Sequence, residues 1–257
     1  MRLSLDIRKS LEENAAAYFE KAKKDKKKLE GARRIVEKYK EKLRSLEEKS
    51  KECGEQRIIV KKKPRREWYE KFRWFISSDG FLVIGGRDAT TNEIIIKKYA
   101  EKNDLVFHTD MAGSPFVIIK NNEGREIPES TINEAAVFTA VFSRAWKQGF
   151  STLAVFSVKP EQVSKKAKSG EYLAKGAFMI YGDTTYYHPV MSYAVGTYND
   201  KVMGGPLSAV KKNCKAYVEI VQGDEKLSDV AKMVKKRIGG ELDDILRVLP
   251  PGSKIKK

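Results

Sequence analysis

The 257-residue sequence predicts an α+β fold: a mixed, largely antiparallel sheet with packed helices, preceded by one long N-terminal coiled-coil helix. Three observations predict it. Apolar residues in the first quarter recur at heptad spacing. Short β-branched and aromatic runs in the remainder follow one another across turn residues, the pattern of hairpins. The strongest helical segments come after those runs rather than alternating with them, which disfavours a parallel α/β sheet.

In the first quarter, Leu11, Ala15, Tyr18, Ala22, Leu29, Ala32, Val36, Tyr39, Leu43 and Leu46 recur in steps of four and three, with Asp25 in one seam position. Ser10 with Glu13 three residues on reads as a capping box, and Cys53-Gly54 as the end of the helix. A lone helix cannot bury such a seam. It needs a partner helix, supplied by dimerisation or by a segment outside this chain. KKKPRREW, from Lys61 to Trp68, then breaks regular structure at Pro64. The expected division is an arm at 1–60 and a body at 61–257.

The body opens with a helical start at 68–72. Strands are expected at 73–77, 81–85, 93–99, 104–108 and 116–120, with Asp79-Gly80 closing the first hairpin. A helix at 132–148 is opened by Glu129-Ser130-Thr131 and closed by Gly149. Strands at 152–158, 177–181 and 217–221 follow. Two amphipathic helices at 227–238 and 241–249 end at Pro250-Pro251-Gly252.

Charge narrows the function. The net charge is +16 and the pI about 9.6, which points to acidic partners, nucleic acid first. Residues 1–66 hold 23 Lys and Arg against 12 Asp and Glu, so 11 of the 16 excess charges sit in the arm and junction. No run of about 18 apolar residues predicts a membrane span, and the N-terminus has no apolar signal core. Cys53 and Cys214 form no C-x-x-C pair, and His108 and His188 adjoin neither, so no metal and no cofactor are expected. Reduced thiols fit the cytoplasm.

Four stretches are candidates for chemistry. Gly85-Gly86-Arg87-Asp88 follows an apolar run. A phosphate cradle needs a strand in and a helix out, and the β-branched EIIIKKY after it reads as a strand, so a nucleotide loop is rejected and a hairpin tip expected. Arg87, with Asp88 beside it, either reaches RNA or is only a turn. If it reaches RNA, Arg87→Ala should weaken binding while moving the melting temperature by no more than about a degree or two. In HTDMAGSP, His108 and Asp110 suit acid–base work or a plain polar turn. Gly204-Gly205-Pro206, before a helix with Lys211 and Lys212, would aim free N–H groups and cations at an anion, or form an unliganded turn. Lys165, Lys166, Lys168 and Lys175 surround Tyr172, a mixture that suits single-stranded or loop RNA and equally a solvated loop.

Several of these runs resemble one family. WYEKFRWFISS, GFLVIGGRDATTNE, DLVFHTDMAGS and SGEYLAKGAFMI, in that order between Trp68 and Tyr181, resemble the RNA-binding domain (NFACT-R) of the NFACT family, which includes eukaryotic NEMF, bacterial RqcH and bacterial proteins once called fibronectin-binding. SLEENAAAYFEKAKK, from Ser10, resembles the second half of that family's coiled-coil arm, and the Gly-Gly-Pro tail resembles archaeal members. The resemblance implies ribosome-associated quality control: binding the large ribosomal subunit with its rRNA, stalk proteins and obstructed peptidyl-tRNA, and recruiting tRNA for mRNA-independent C-terminal tailing. Bond formation would be the ribosome's, so no catalytic residue and no enzyme activity are expected. The family's N-terminal domain, helix-hairpin-helix segment and first arm helix have no counterpart here, so the chain is expected to be a piece of a longer protein. Arg87-Asp88 is not the tRNA-contacting pair of that missing domain.

The reading of the residues is thus an RNA- and ribosome-binding module. The body would use Arg87, Asp88, His108, Lys165, Lys166, Lys168, Tyr172, Lys175, Lys211 and Lys212. The arm would use Lys23, Lys24, Lys26, Lys27, Lys28, Arg33 and Arg34. Two rivals stay open: a nucleic-acid-processing enzyme using His108 and Asp110, and a coiled-coil interaction protein.

Overall fold

The structure is a computed structural model that describes residues 4–52, 66–166 and 173–256. The chain divides into two compact units, Met1–Pro64 and Arg65–Lys257.

The first unit is a single helix, α1 (Leu11–Glu52). Its start is the expected box: Ser10 Oγ accepts from the Glu13 N–H at 3.1 Å, and the Ser10 N–H donates to Glu13 Oε2 at 2.8 Å. Residues before it fold back over its first turns. The Asn14 carboxamide accepts from the Asp6 N–H and donates to the carbonyls of Asp6, Lys9 and Ser10. Tyr18 Oη donates to the Ser4 carbonyl at 2.7 Å. Leu11, Leu29, Val36, Tyr39 and Leu43 of the seam are all exposed within this unit, as are Phe19 and Ile35 beside it.

The second unit is α+β. A six-stranded antiparallel sheet runs in the order β1 (Arg73–Ile76), β2 (Leu82–Gly85), β4 (Val117–Ile119), β3 (Leu105–Thr109), β5 (Val155–Val158), β8 (Thr185–Tyr187). A four-stranded sheet runs β10 (Lys201–Pro206), β9 (Tyr193–Tyr198), β11 (Tyr217–Gln222), β12 (Ser253–Ile255). A short pair, β6 (Val163–Ser164) and β7 (Met179–Ile180), stands apart. Helix α3 (Glu129–Val141) packs against strands of both larger sheets. Its second half is enclosed, residues 134–141 being buried without a break, while Glu129, Ser130 and Asn133 of its first turns are exposed. Phe138 reaches Phe75 of β1 at 4.8 Å between ring centroids.

Three expectations need correction. The helix expected at 132–148 is two: Phe142 leaves the helix, and Ser143 caps a short α4 (Arg144–Lys147), its Oγ accepting from the Ala145 N–H. Segment 93–99 is not a strand. Gly204-Gly205-Pro206 is not a turn but the end of β10, with Gly204 and Gly205 opposite Val195 and Ala194. A Cβ on Gly205 would lie 2.9 Å from the Phe75 Cβ, so the glycines admit close packing and their backbone is used by the sheet. The helix that follows, α5 (Leu207–Asn213), therefore has no anion cradle before it.

Candidate nucleic-acid interface

After β2 the chain passes through Gly86, Arg87 and Asp88 into a helix, α2 (Ala89–Ile94), which continues as a π-helical turn at Ile95–Tyr99. The π turn closes with the Ala100 N–H on the Ile95 carbonyl at 3.0 Å. The three isoleucines cost this helix at most about 0.7 kcal/mol each in propensity. Burying Ile95, which is fully enclosed, returns about 1.5–3 kcal/mol, so tertiary packing overrides the β-branched signal. Strand-in, helix-out is thus the topology here, but the helix start is filled by the chain itself. Asp88 Oδ1 accepts from the Thr91 N–H at 2.8 Å, and Thr91 Oγ1 accepts from the N–H groups of Asp88 and Arg87. The Thr91 backbone bond holds the Asp88 carboxyl below its ordinary range. A protein carboxylate occupies the place a phosphate would take.

Arg87 is not at an exposed tip. Its Nε donates to the Lys71 carbonyl, Nη2 to Phe72 and Nη1 to Arg247, at 3.1, 2.9 and 3.2 Å. It braces three segments. Arg73 lies beneath, its guanidinium 4.4 Å from the Phe142 ring centre and its Nη1 on the Gly86 carbonyl. Burial, then the neighbouring Arg87 charge, brings the Arg73 pKa down to about 10.

Glu93 of α2 gathers the basic loop. Lys165 Nζ lies 2.8 Å from Glu93 Oε1 and 3.1 Å from the Ala174 carbonyl. Lys97 approaches Oε2 at 3.2 Å, and the Gly176 N–H donates to Oε1 at 3.0 Å. The Lys165 hydrogen bond, then that of Gly176, lowers the Glu93 pKa to about 2. Lys98, Lys166 and Lys175 are exposed around this junction. Lys71 extends the row, its Nζ 4.5 Å from the Tyr99 ring centre and bonded to the Tyr99 hydroxyl. Six lysines, Lys71, Lys97, Lys98, Lys165, Lys166 and Lys175, therefore follow one short helix. Lys168 and Tyr172 lie outside the described residues.

His108 joins this face through rings rather than through a carboxylate. It stacks on Phe116 at 4.2 Å, Phe116 meets Phe178 edge-on at 5.2 Å, and Phe178 lies under Lys165 Nζ at 4.9 Å. Burial lowers the His108 pKa. Asp110 is exposed and accepts from Tyr186 Oη at 3.4 Å, and it shares no hydrogen bond with His108 among the described residues. The loop after them is a turn tied by Thr109, Met111 and Ser114. A hollow of about 340 Å³ opens elsewhere, among Lys102, Asn103, Asn121 and Lys159, and neither His108 nor Asp110 lines it. Lys211 and Lys212 are exposed on α5. The Asp79 carboxyl at the tip of the β1–β2 hairpin, the opposite end of that hairpin from Lys71, is held below its ordinary range by Ser130 and Thr131 first and by the Lys212 charge to a lesser degree. The arm cations Lys23, Lys24, Lys26, Lys27, Lys28, Arg33 and Arg34 are exposed along α1.

Sequence reasoning missed Lys71, Lys97 and Lys98. The last two lay in the misread strand, where their spacing from Glu93 carried no meaning. Read as a helix, Glu93 and Lys97 fall at i and i+4, which was the available signal.

Comparison with known proteins identifies the domain in which these lysines lie. The family model of the NFACT protein RNA binding domain matches residues 71–182, the stretch that contains all six lysines. An archaeal Rqc2 homologue (aRqcH) of Methanocaldococcus jannaschii is 45% identical over 203 residues, covering 75% of this chain and 30% of that protein. The ribosome quality control complex subunit NEMF homologue of Drosophila melanogaster is 38% identical over 191 residues, 72% of this chain and 18% of that protein. Human NEMF is 39% identical over 183 residues, 68% and 16%. The chain thus spans less than a third of each of these relatives. With the motifs of residues 68–181 in order, the RNA-binding-domain match, and relatives from archaea, insects and humans, the chain belongs to the NFACT family.

Proposed function

We propose that this chain is the RNA-gripping part of a ribosome-associated quality control factor in the cytoplasm. The body holds RNA phosphates with the lysine row along α2. The arm lays its cations along rRNA or a ribosomal stalk, and its exposed seam takes a partner helix. In the whole protein the module would help hold a large subunit that carries obstructed peptidyl-tRNA, and help recruit tRNA for C-terminal tailing. The ribosome would form the bonds, and this chain would catalyse nothing.

The observation that carries the reading is the coincidence of the matched RNA-binding domain with six lysines converging on one short helix, while the rest of the body is nearly balanced in charge. The test is anisotropy of labelled tRNA over a salt series. Neutralising about five phosphates gives a slope of log K on log[salt] of roughly −3.5 to −4.5. Replacing Lys97, Lys98, Lys166 and Lys175 by Glu should weaken binding and flatten that slope. A slope near zero in the parent, or an unchanged slope in the variant, removes the reading. Turnover of an RNA substrate that is lost in His108→Ala would instead favour the enzyme.

A further inference from the structure

Trp68 is the feature of this face that phosphate binding leaves unexplained. The other two tryptophans, Trp74 and Trp146, are 5% and 2% exposed, whereas Trp68 is 43% exposed. Its indole lies flat on Tyr99, with ring centroids 4.8 Å apart and an interplanar angle of 6°, and Tyr69 stands edge-on to it at 84°. With one face of the indole on Tyr99, the exposure left is what an open opposite face and rim would give. Leaving 43% of an indole in water forgoes part of the roughly 1.5–3 kcal/mol that full burial of a large apolar side chain gives.

Its surroundings choose the occupant. Lys71 sits over Tyr99, on the ring that supports Trp68. Lys97 and Lys98 immediately precede Tyr99 on the π-helical turn, and Arg66 lies two residues before Trp68. Lys97 also pairs with Glu93 at 3.2 Å and Arg66 with Asp244 at 3.6 Å, so Lys71, held on the Tyr99 ring, is the cation fixed closest to the stack. An exposed aromatic surface with cations nearby is the arrangement that stacks a base while its phosphates are held alongside. π-helical turns inside helices are frequent at functional sites; this one sets Tyr99 against the indole.

We propose that Trp68, supported by Tyr99, stacks an unpaired nucleobase of the bound RNA, so that the module distinguishes single-stranded or loop RNA from a base-free polyanion. The proposal rests on the RNA reading above and adds a base-contacting subsite to it.

The experiment uses the whole chain with two probes, a short single-stranded RNA and an abasic strand of equal length. Trp68→Ala should weaken binding of the base-bearing strand by about 5- to 150-fold, the loss of one base stack, and leave the abasic strand unchanged. Trp68→Phe should fall between. The base-bearing strand should quench tryptophan emission in the parent, because the other two indoles are buried, and the abasic strand should not. Equal loss on both strands would make Trp68 a support for its neighbours, and no loss on either would make it a bystander; both overturn the proposal. A parent that binds neither strand fails the RNA reading itself, a result distinguishable from the other two. Matching thermal melts keep a folding defect from passing for lost stacking.

Discussion

Gly86 and Asn92 share one space: a Cβ on Gly86 would lie 1.8 Å from Oδ1 of Asn92. That oxygen accepts from the Phe116 N–H at 3.1 Å and so ties α2 to the strand beside β2. Gly86→Ala must displace the carboxamide and strand a buried N–H. Overpacking costs about 1–3 kcal/mol and the lost bond about 1–3 more. The expected result is a fall of about 2–6 kcal/mol in unfolding free energy by denaturant titration. Gly86→Ala with Asn92→Ala should be little worse than Asn92→Ala alone, because removing the carboxamide makes room for the methyl. Simple additivity would mean that the two do not compete.

Arg87→Ala is expected to destabilise. It removes donors from the carbonyls of Lys71, Phe72 and Arg247. One charge-assisted, part-buried bond is worth about 1.5–3 kcal/mol, and the two more exposed bonds add less. A loss of about 2–3 kcal/mol lowers the melting temperature by roughly 4–12 °C in a unit of this size. Arg87→Lys should restore little, since one ammonium cannot span three carbonyls. A variant that melts like the parent yet binds RNA weakly would return Arg87 to the RNA contact expected from sequence.

These two residues mark how far the sequence could be read. The first hairpin, the helix at 227–238, the arm helix and its capping box follow from local pattern and were legible, whereas the hairpin of β9 and β10 was not foreseen. GGRDATTNE was visible as a motif, but its purpose was not. Gly86 answers to a carboxamide six residues on, and Arg87 to carbonyls at 71, 72 and 247, relationships that exist only after folding. EIIIKKY misled because its β-branched density is a local signal and the burial of Ile95 is not. That one misreading hid the spacing of Glu93 and Lys97 and so two of the six lysines of the row. The Gly-Gly of β10 misled likewise: it reads as a turn until Phe75 is seen to lie against it.

Glu93 makes the basic loop sensitive to acid. Its carboxyl, held by Lys165 and Gly176, titrates near 2 instead of the ordinary 4.5. A lowered carboxyl pKa means that the contact is fully formed above about 4.5 and is lost as pH falls toward 2. The Gly176 amide resonance should follow that low midpoint; a midpoint near 4.5 would show that the contact is not made in solution. Glu93→Gln removes the charge at neutral pH. Trypsin should then cut at Lys165, Lys166 or Lys175 faster than in the parent, while the core melts unchanged.

His108 should set the stability of the body on the acid side of neutrality. Burial against Phe116 and Phe156 disfavours the imidazolium, so its folded pKa lies below the ordinary 6.5. The unfolded chain therefore binds the proton more readily. The stabilisation is complete above about 6.5 and declines as pH falls through the interval between that value and the lower folded pKa. A pH series of denaturant midpoints should show the decline in the parent. His108→Phe should abolish it over that interval, because a phenyl ring keeps the stack and carries no proton. The backbone bonds of Thr109 and Ser114 oppose the shift first, and among the described residues Asp110 is the charged group that does so. It is exposed, so Asp110→Asn should move the midpoint only slightly further down. If His108 titrated at or above 6.5 by NMR, its bonds with the Thr109 and Ser114 backbone and the Asp110 charge, which raise its pKa, would outweigh its burial.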